Sequence, residues 1–154
     1  MDRASRLLWA KPIKEEISMV KVIMGVKGSG KTKLLVDMVN AAALEEKGNV
    51  VCLEHARKLD YDINYSVRLV DVAPFNISGY TLLKGFICGL YAGNFDISNI
   101  FIDSLFKITK TESIPECEEF LDWLKAFCDQ NHIKFIVVIS ADINTASEGI
   151  RKYF

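Results

Sequence analysis

The sequence predicts an α/β fold, a single domain of five mainly parallel strands with helices on both faces. Three observations carry that expectation. From Met19 onward, short apolar runs alternate with stretches of helical periodicity, as a parallel sheet with crossover helices requires. The first of these runs leads directly into a glycine-rich loop and then into a helical pattern. No repeat, low-complexity tract or linker divides the 154 residues, a length that suits one domain with one core.

The elements follow in order. Val20-Lys21-Val22-Ile23-Met24 reads as a first strand, and Gly25-Val26-Lys27-Gly28-Ser29-Gly30-Lys31-Thr32 follows with the spacing G-x-x-x-x-G-K-T. Thr32 to Lys47 reads as a helix, on Leu34, Leu35, Val36, Met38, Val39, Ala42 and Leu44, closed by Gly48. Asn49 to Glu54 is a second strand; Ser66 to Val72 is a weaker third, after a polar segment. Ser78 is placed to cap a helix running to about Ala92, where Gly93-Asn94 stops it. Gly85, Gly89 and Gly93 give that helix one face without side chains, expected to pack closely against the sheet or a partner helix.

Asn99 to Asp103 is a fourth strand, continuously apolar as a sheet centre demands. Ser113-Ile114-Pro115-Glu116 reads as a capping box with proline in the first turn. The helix behind it spaces Cys117, Phe120, Leu121, Leu124 and Cys128 for burial, with Trp123 and Phe127 expected to widen the core. Ile133 to Ser140 is the fifth strand, and one short helix near Ser147 to Tyr153 follows.

Bulk properties narrow the function. A net charge of −1 leaves no basic footprint, so nucleic acid is not expected as the main partner. Cys52, Cys88, Cys117 and Cys128 show no C-x-x-C pairing and fall in apolar patterns; buried, reduced thiols in a cytoplasmic protein are expected. His55 and His132 are the only histidines, which excludes a His-rich metal site. No apolar stretch reaches the roughly 18 residues a membrane helix needs. Residues 1–18 lack strong periodicity, and Arg6-Leu7-Leu8-Trp9 is too short for a signal-peptide core. They are read as a non-native or misassigned N-terminal extension ahead of a domain at 19–154. Lys14-Glu15-Glu16 can be encoded by purine-rich codons resembling a bacterial ribosome-binding site before Met19.

The loop spacing answers the needs of a bound triphosphate. Gly25, Gly28 and Gly30 let the backbone curl so that its amides, with Ser29, reach phosphate oxygens. Lys31 sets a compact charge against the β- and γ-phosphates, and Lys27 adds another within the loop. Thr32 offers a hydroxyl to Mg²⁺, and the helix that begins there turns its positive end toward the anion. Asp103, closing an apolar strand, is the expected second Mg²⁺ holder, through a water. Ser104 follows it, so the water-polarising glutamate often found next to such an aspartate is missing there. Glu54, at the end of the second strand on the same sheet edge, is the replacement.

Glu54-His55-Ala56, with Tyr61 seven residues after the glutamate, resembles the corresponding stretch of RecA-type recombinases. Phe101-Ile102-Asp103-Ser104 is similar to that family's apolar run ending Asp-Ser, and Ser78-Gly79-Tyr80 and Asp96-Ile97 fall in comparable places. The resemblance spans about Met19 to Ser140. It implies a RecA-like P-loop core in which Glu54 activates water, Tyr61 stacks on adenine and Ser140 senses the γ-phosphate. Two departures matter. Ala141 stands where the recombinases carry a glutamine coupling ATP to DNA, and Lys58 takes the place of an aspartate near the adenine. DNA strand exchange is therefore not expected. From Met19 the chain also resembles short bacterial proteins labelled twitching-motility or PilT-like ATP-binding proteins, but it lacks the further His and Asp motifs of full pilus-retraction ATPases.

The expected function is ATP binding with slow, Mg²⁺-dependent hydrolysis by Lys31, Glu54, Asp103 and Ser140. GTP is disfavoured because no Asn-Lys-x-Asp motif occurs. The alternatives are a switch or adaptor that binds ATP without turnover, and a small-molecule kinase. The segment from Leu105 to Glu112, carrying only Lys107 and Lys110, is short for a kinase lid. A protein partner is expected, and a homo-oligomer is compatible with the sequence. Arg57, Arg68 and Arg151 are candidates for a charge-stabilising arginine, and the sequence does not choose among them.

Overall fold

Strand burial follows strand position. The computed structural model describes residues 19–45, 47–60 and 62–154, and in them five parallel strands pair in the order β1-β5-β4-β2-β3. They are β1 (Met19–Gly25), β2 (Asn49–Glu54), β3 (Arg68–Asp71), β4 (Ile97–Ile102) and β5 (Lys134–Ser140). β5 and β2 are buried almost continuously, as strands covered on both faces must be. β1, at an edge, alternates instead: Val20, Val22 and Met24 are buried and the residues between them half-buried. The expected central place of β4 is borne out; the expectation for residues 1–18 lies outside the described residues.

Helices cover both faces. On one, α1 (Lys31–Glu45) lays Leu35, Val39 and Ala42 over Val50, Cys52, Phe101, Ile136 and Val138. On the other lie α2 (Gly79–Gly93), the short α3 (Leu105–Thr109) and α4 (Ile114–Asn131). There Leu83, Ile87, Phe120, Leu121 and Leu124 pack on Val51, Leu53, Ile100, Ile102, Phe135 and Val137. Trp123 and Phe127 do widen this core: Trp123 stacks between Phe120 and Phe127, at centroid distances of 6.1 and 5.2 Å. After α5 (Glu148–Arg151) the chain returns to the open edge of β1, where Val22 N donates to Tyr153 O (2.8 Å). The Tyr153 hydroxyl donates to Asp122 on α4 (2.6 Å), which anchors that return.

Several local expectations need correction. Ser113 caps α4 by accepting from Glu116 N (3.4 Å), but the reciprocal half of the box is not made. The Glu116 carboxylate accepts from the Thr111 hydroxyl instead, and Ser113 N donates to that same hydroxyl. Ser78 holds the cap position of α2 without a side-chain bond. Gly85, Gly89 and Gly93 do not pack against the sheet: a side chain added at any of them would meet open space. The apolar stripe of α2 runs through Tyr80, Leu83 and Ile87 and turns the glycines outward. Cys52, Cys117 and Cys128 are buried, but Cys88, on that outward side, is exposed. β3 is shorter than its apolar run, and α3, too short for periodicity to reveal, follows Asp103 directly.

Two measurements check this packing. Phe120 is fully buried with its ring 4.9 Å from that of Tyr80. Phe120→Ala is expected to cost about 3–5 kcal/mol in urea unfolding, since the core cannot close the gap. Burial pushes the Cys117 thiol up to about 11 and Cys128 up to about 12, and raises Cys52 as well. A thiol reagent on the native protein should therefore label Cys88 alone, read by mass, and Cys88→Ser should abolish the labelling.

Candidate functional site

With every strand parallel, the turns after β1, β2, β4 and β5 all emerge at one sheet edge, where ligands of open α/β sheets bind. β1 and β5 stay in register to their ends, Gly25 opposite Ser140, and Ala141 N continues the ladder by donating to Gly25 O (3.1 Å). The glycine-rich loop therefore starts from a fixed point.

Gly28 and Gly30 adopt φ of 84° and 91°, a left-handed backbone that costs other residues strain. Gly25 serves close approach: a β-carbon there would come 2.6 Å from the Ser29 hydroxyl. The chain turns through Ser29 N donating to Val26 O (3.2 Å) and enters α1, whose first turn leaves its leading amides outside the helical ladder. Lys31 Nζ donates to Val26 O (2.9 Å), which folds the ammonium back over the loop. Fixed positive charge and free amides thus face one concavity, a combination that favours anions. Beside the loop an open cleft of about 410 Å³ runs past Ile23 to Leu34, Asp142 and Ile143, a size that suits a small-molecule ligand. Leu34 and Ile143 are 46% and 44% exposed there, although Leu34 reads in the sequence as one more apolar helix residue.

Asp103 follows β4 and continues the sheet ladder, its N–H donating to Leu53 O (2.9 Å). Its side chain is 6% exposed and accepts from the Ser104 hydroxyl (3.3 Å). Ser104 takes a left-handed backbone (φ 60°) to turn the chain into α3. Thr32, exposed in the first turn of α1, and Asp103 each offer a hard oxygen at this edge. No group of three or more His, Cys, Asp or Glu among the described residues could hold a metal alone. Mg²⁺ does not require one: one or two protein oxygens with phosphate and water satisfy it, and a hydroxyl with a carboxylate fits that need.

Glu54 differs from the solvated strand-end carboxylate that its position suggests. It is 1% exposed; Oε1 accepts from Lys58 N (2.8 Å) and Leu59 N (3.3 Å), while Oε2 is buried without a partner. Burial raises its pKa most; the two backbone N–H groups oppose that, and Asp60 and Asp103 add to the rise. The segment carrying those N–H groups is pinned by Asp71, at the end of β3, whose Oδ1 accepts from Ala56 N (2.9 Å) and Ala73 N (3.0 Å). Strand periodicity gives no hint of that role. An aspartate closing a strand just before a turn is the only signal.

The structure thus brings the loop, Thr32, Glu54, Asp103 and Ser140 to one edge. Tyr61 lies outside the described residues. Each of the three candidate arginines has its own place in the fold. Arg57 lies 3.6 Å from Asp60, and Arg68 opens β3 at the opposite edge of the sheet. Arg151 donates to the carbonyls of Ala146 and Ile143, both at 2.9 Å.

The raised pKa of Glu54 has a consequence for stability. A carboxyl whose folded pKa is raised contributes stability below its unfolded value and loses it as pH rises through the folded one. At pH 7 the raised pKa of Glu54 is therefore a cost to folding. Glu54→Gln keeps the acceptor for Lys58 N and should raise the melting temperature at pH 7, with the gain vanishing below about pH 4. A lower melting temperature for the variant at pH 7 would contradict this account.

A scan of protein-family models gives no match to this chain, and a search of curated proteins gives none either.

Proposed function

We propose that this protein is an ATP-binding P-loop domain with a minimal RecA-like core that hydrolyses ATP slowly, in the cytoplasm. The observation that carries the reading is the loop from Gly25 to Thr32, with left-handed Gly28 and Gly30, opening α1 at the carboxyl edge of a parallel sheet. Loop amides and Lys31 take the phosphate oxygens, and Ser140, beside the loop's first residue, senses the terminal one. Mg²⁺, held by Thr32 and through water by Asp103, would supply charge to the β- and γ-oxygens. In the reaction, water oxygen bonds to the γ-phosphorus while the bond to the β,γ-bridging oxygen breaks. The electron pair leaves with ADP, and the water proton passes to Glu54 and on to the released phosphate.

One observation favours a second reading, a switch that binds ATP without turnover. Glu54 is buried and its Oε1 is held by two backbone amides, so no water reaches it without movement of the segment after β2. Binding of Mg-ATP and single-turnover hydrolysis, for wild type, Lys31→Ala and Glu54→Gln, separate these readings. Lys31→Ala is expected to weaken ATP binding roughly tenfold or more. Glu54→Gln should bind normally and turn over about 10²-fold more slowly. Equal, negligible turnover in wild type and Glu54→Gln, with binding kept, would leave the switch; unchanged binding in Lys31→Ala would overturn the loop assignment.

A further inference from the structure

A nucleotide held by its phosphates also needs a place for its base. One flank of the glycine loop is apolar. Val26, Leu34 and Ile143 are all exposed, and all three line the cleft of about 410 Å³ that runs from Lys31 to Asp142. Large aliphatic side chains scattered singly over a surface are ordinary; three that converge on one concavity beside an anion-binding loop point to a ligand.

The far wall of this cleft is braced. Ala141 N donates to Gly25 O (3.1 Å), which sets the turn after β5 beside the first residue of the loop. Within that turn Asp142 Oδ1 accepts from Asn144 N (2.9 Å), and the Thr145 hydroxyl donates to Asp142 O (2.6 Å). Arg151 holds the carbonyls of Ile143 and Ala146, so Ile143 stands on a fixed short 3-10 turn, Ile143–Thr145. The near wall is the first turn of α1, from which Leu34 projects. Asn40, six positions later and so about 120° away round the helix, bonds residues 62 and 64 instead. The cleft therefore opens on a different side of α1 from the segment after β2.

Asp142 gives the cleft its selectivity. Its Oδ1 is held by the turn, and no described group donates to Oδ2. An ionised carboxylate oxygen only accepts, so at the edge of an apolar slot it favours an N–H donor and repels a carbonyl oxygen. We infer that this cleft is the base-binding slot of the nucleotide, the ring lying between Leu34 and Ile143 with an exocyclic amino group donating to Asp142 Oδ2. The base it takes is adenine, whose amino group stands where hypoxanthine and guanine carry a keto oxygen. The slot rests on the phosphate-loop reading and deepens it, by assigning the choice of base to the turn after β5.

Calorimetric titration of the full chain with the Mg²⁺ complexes of adenosine, inosine and guanosine diphosphates tests the slot, and inorganic tripolyphosphate, which has no base, reads the loop alone. The adenosine compound should bind roughly tenfold more tightly than the other two. Asp142→Asn keeps an acceptor for Asn144 N and turns an amino donor toward the base, so the order of adenosine and inosine should invert. Ile143→Ser should weaken all three nucleotides roughly fivefold or more and leave tripolyphosphate within about twofold. Retained tripolyphosphate affinity also reports that each variant is folded. An adenosine compound bound no more tightly than the others, an unchanged order in Asp142→Asn, or an Ile143→Ser loss that is absent or shared by tripolyphosphate would overturn the slot and leave the loop assignment standing. A wild type that binds neither tripolyphosphate nor any nucleotide would overturn the loop assignment and the slot with it.

Discussion

Parallel pairing is the constraint on which the rest of this structure depends. A parallel strand cannot return by a hairpin, so each must be followed by a crossover, and the crossovers cover both faces of the sheet. The same constraint sends every strand's carboxyl end to one edge. Three hydrogen bonds then carry the sheet beyond its strands at that edge: Ala141 N to Gly25 O, Asp103 N to Leu53 O and Val72 N to Glu54 O. Each fixes the first residue of a turn. The glycine loop, Asp103 and Glu54 are thereby held by backbone rather than by one another, so the edge can carry a polar site without a polar core.

The charges at that edge oppose one another. Glu54 and Asp103 are both nearly buried and near enough for Asp103 to raise the Glu54 pKa. Burial is the larger cause of that rise, and backbone amides from Lys58 and Leu59 offset part of it. Oε2 of Glu54 is buried without a hydrogen-bond partner among the described residues. Sites that act on ligands keep polar groups in this incompletely satisfied state, at a cost to stability.

Much of this was legible in the residues. Long apolar runs revealed β5 and the centre of β4, since a strand buried on both faces leaves no room for alternation. Loop spacing located the glycines because only a left-handed backbone and a close approach explain them at 28, 30 and 25. What stayed hidden depends on contacts remote in sequence. Gly85, Gly89 and Gly93 read as a packing face, yet the larger residues of α2 took the sheet and turned them outward. The box at Ser113 was half right, because Thr111 was a nearer partner for Glu116 than the Ser113 amide. Glu54 and Asp103, far apart in sequence, come to neighbouring strand ends only through the strand order, which no periodicity encodes.

The contest between turnover and switching comes down to one segment. Residues 55–60 carry the amides that hold Glu54, and Asp71 ties their start to β3. Under the proposed reading, hydrolysis requires those amides to give up Oε1 so that water can reach it, whereas a switch needs no such release. What a bound nucleotide does to the segment after β2 therefore decides how far the protein goes from binding to turnover.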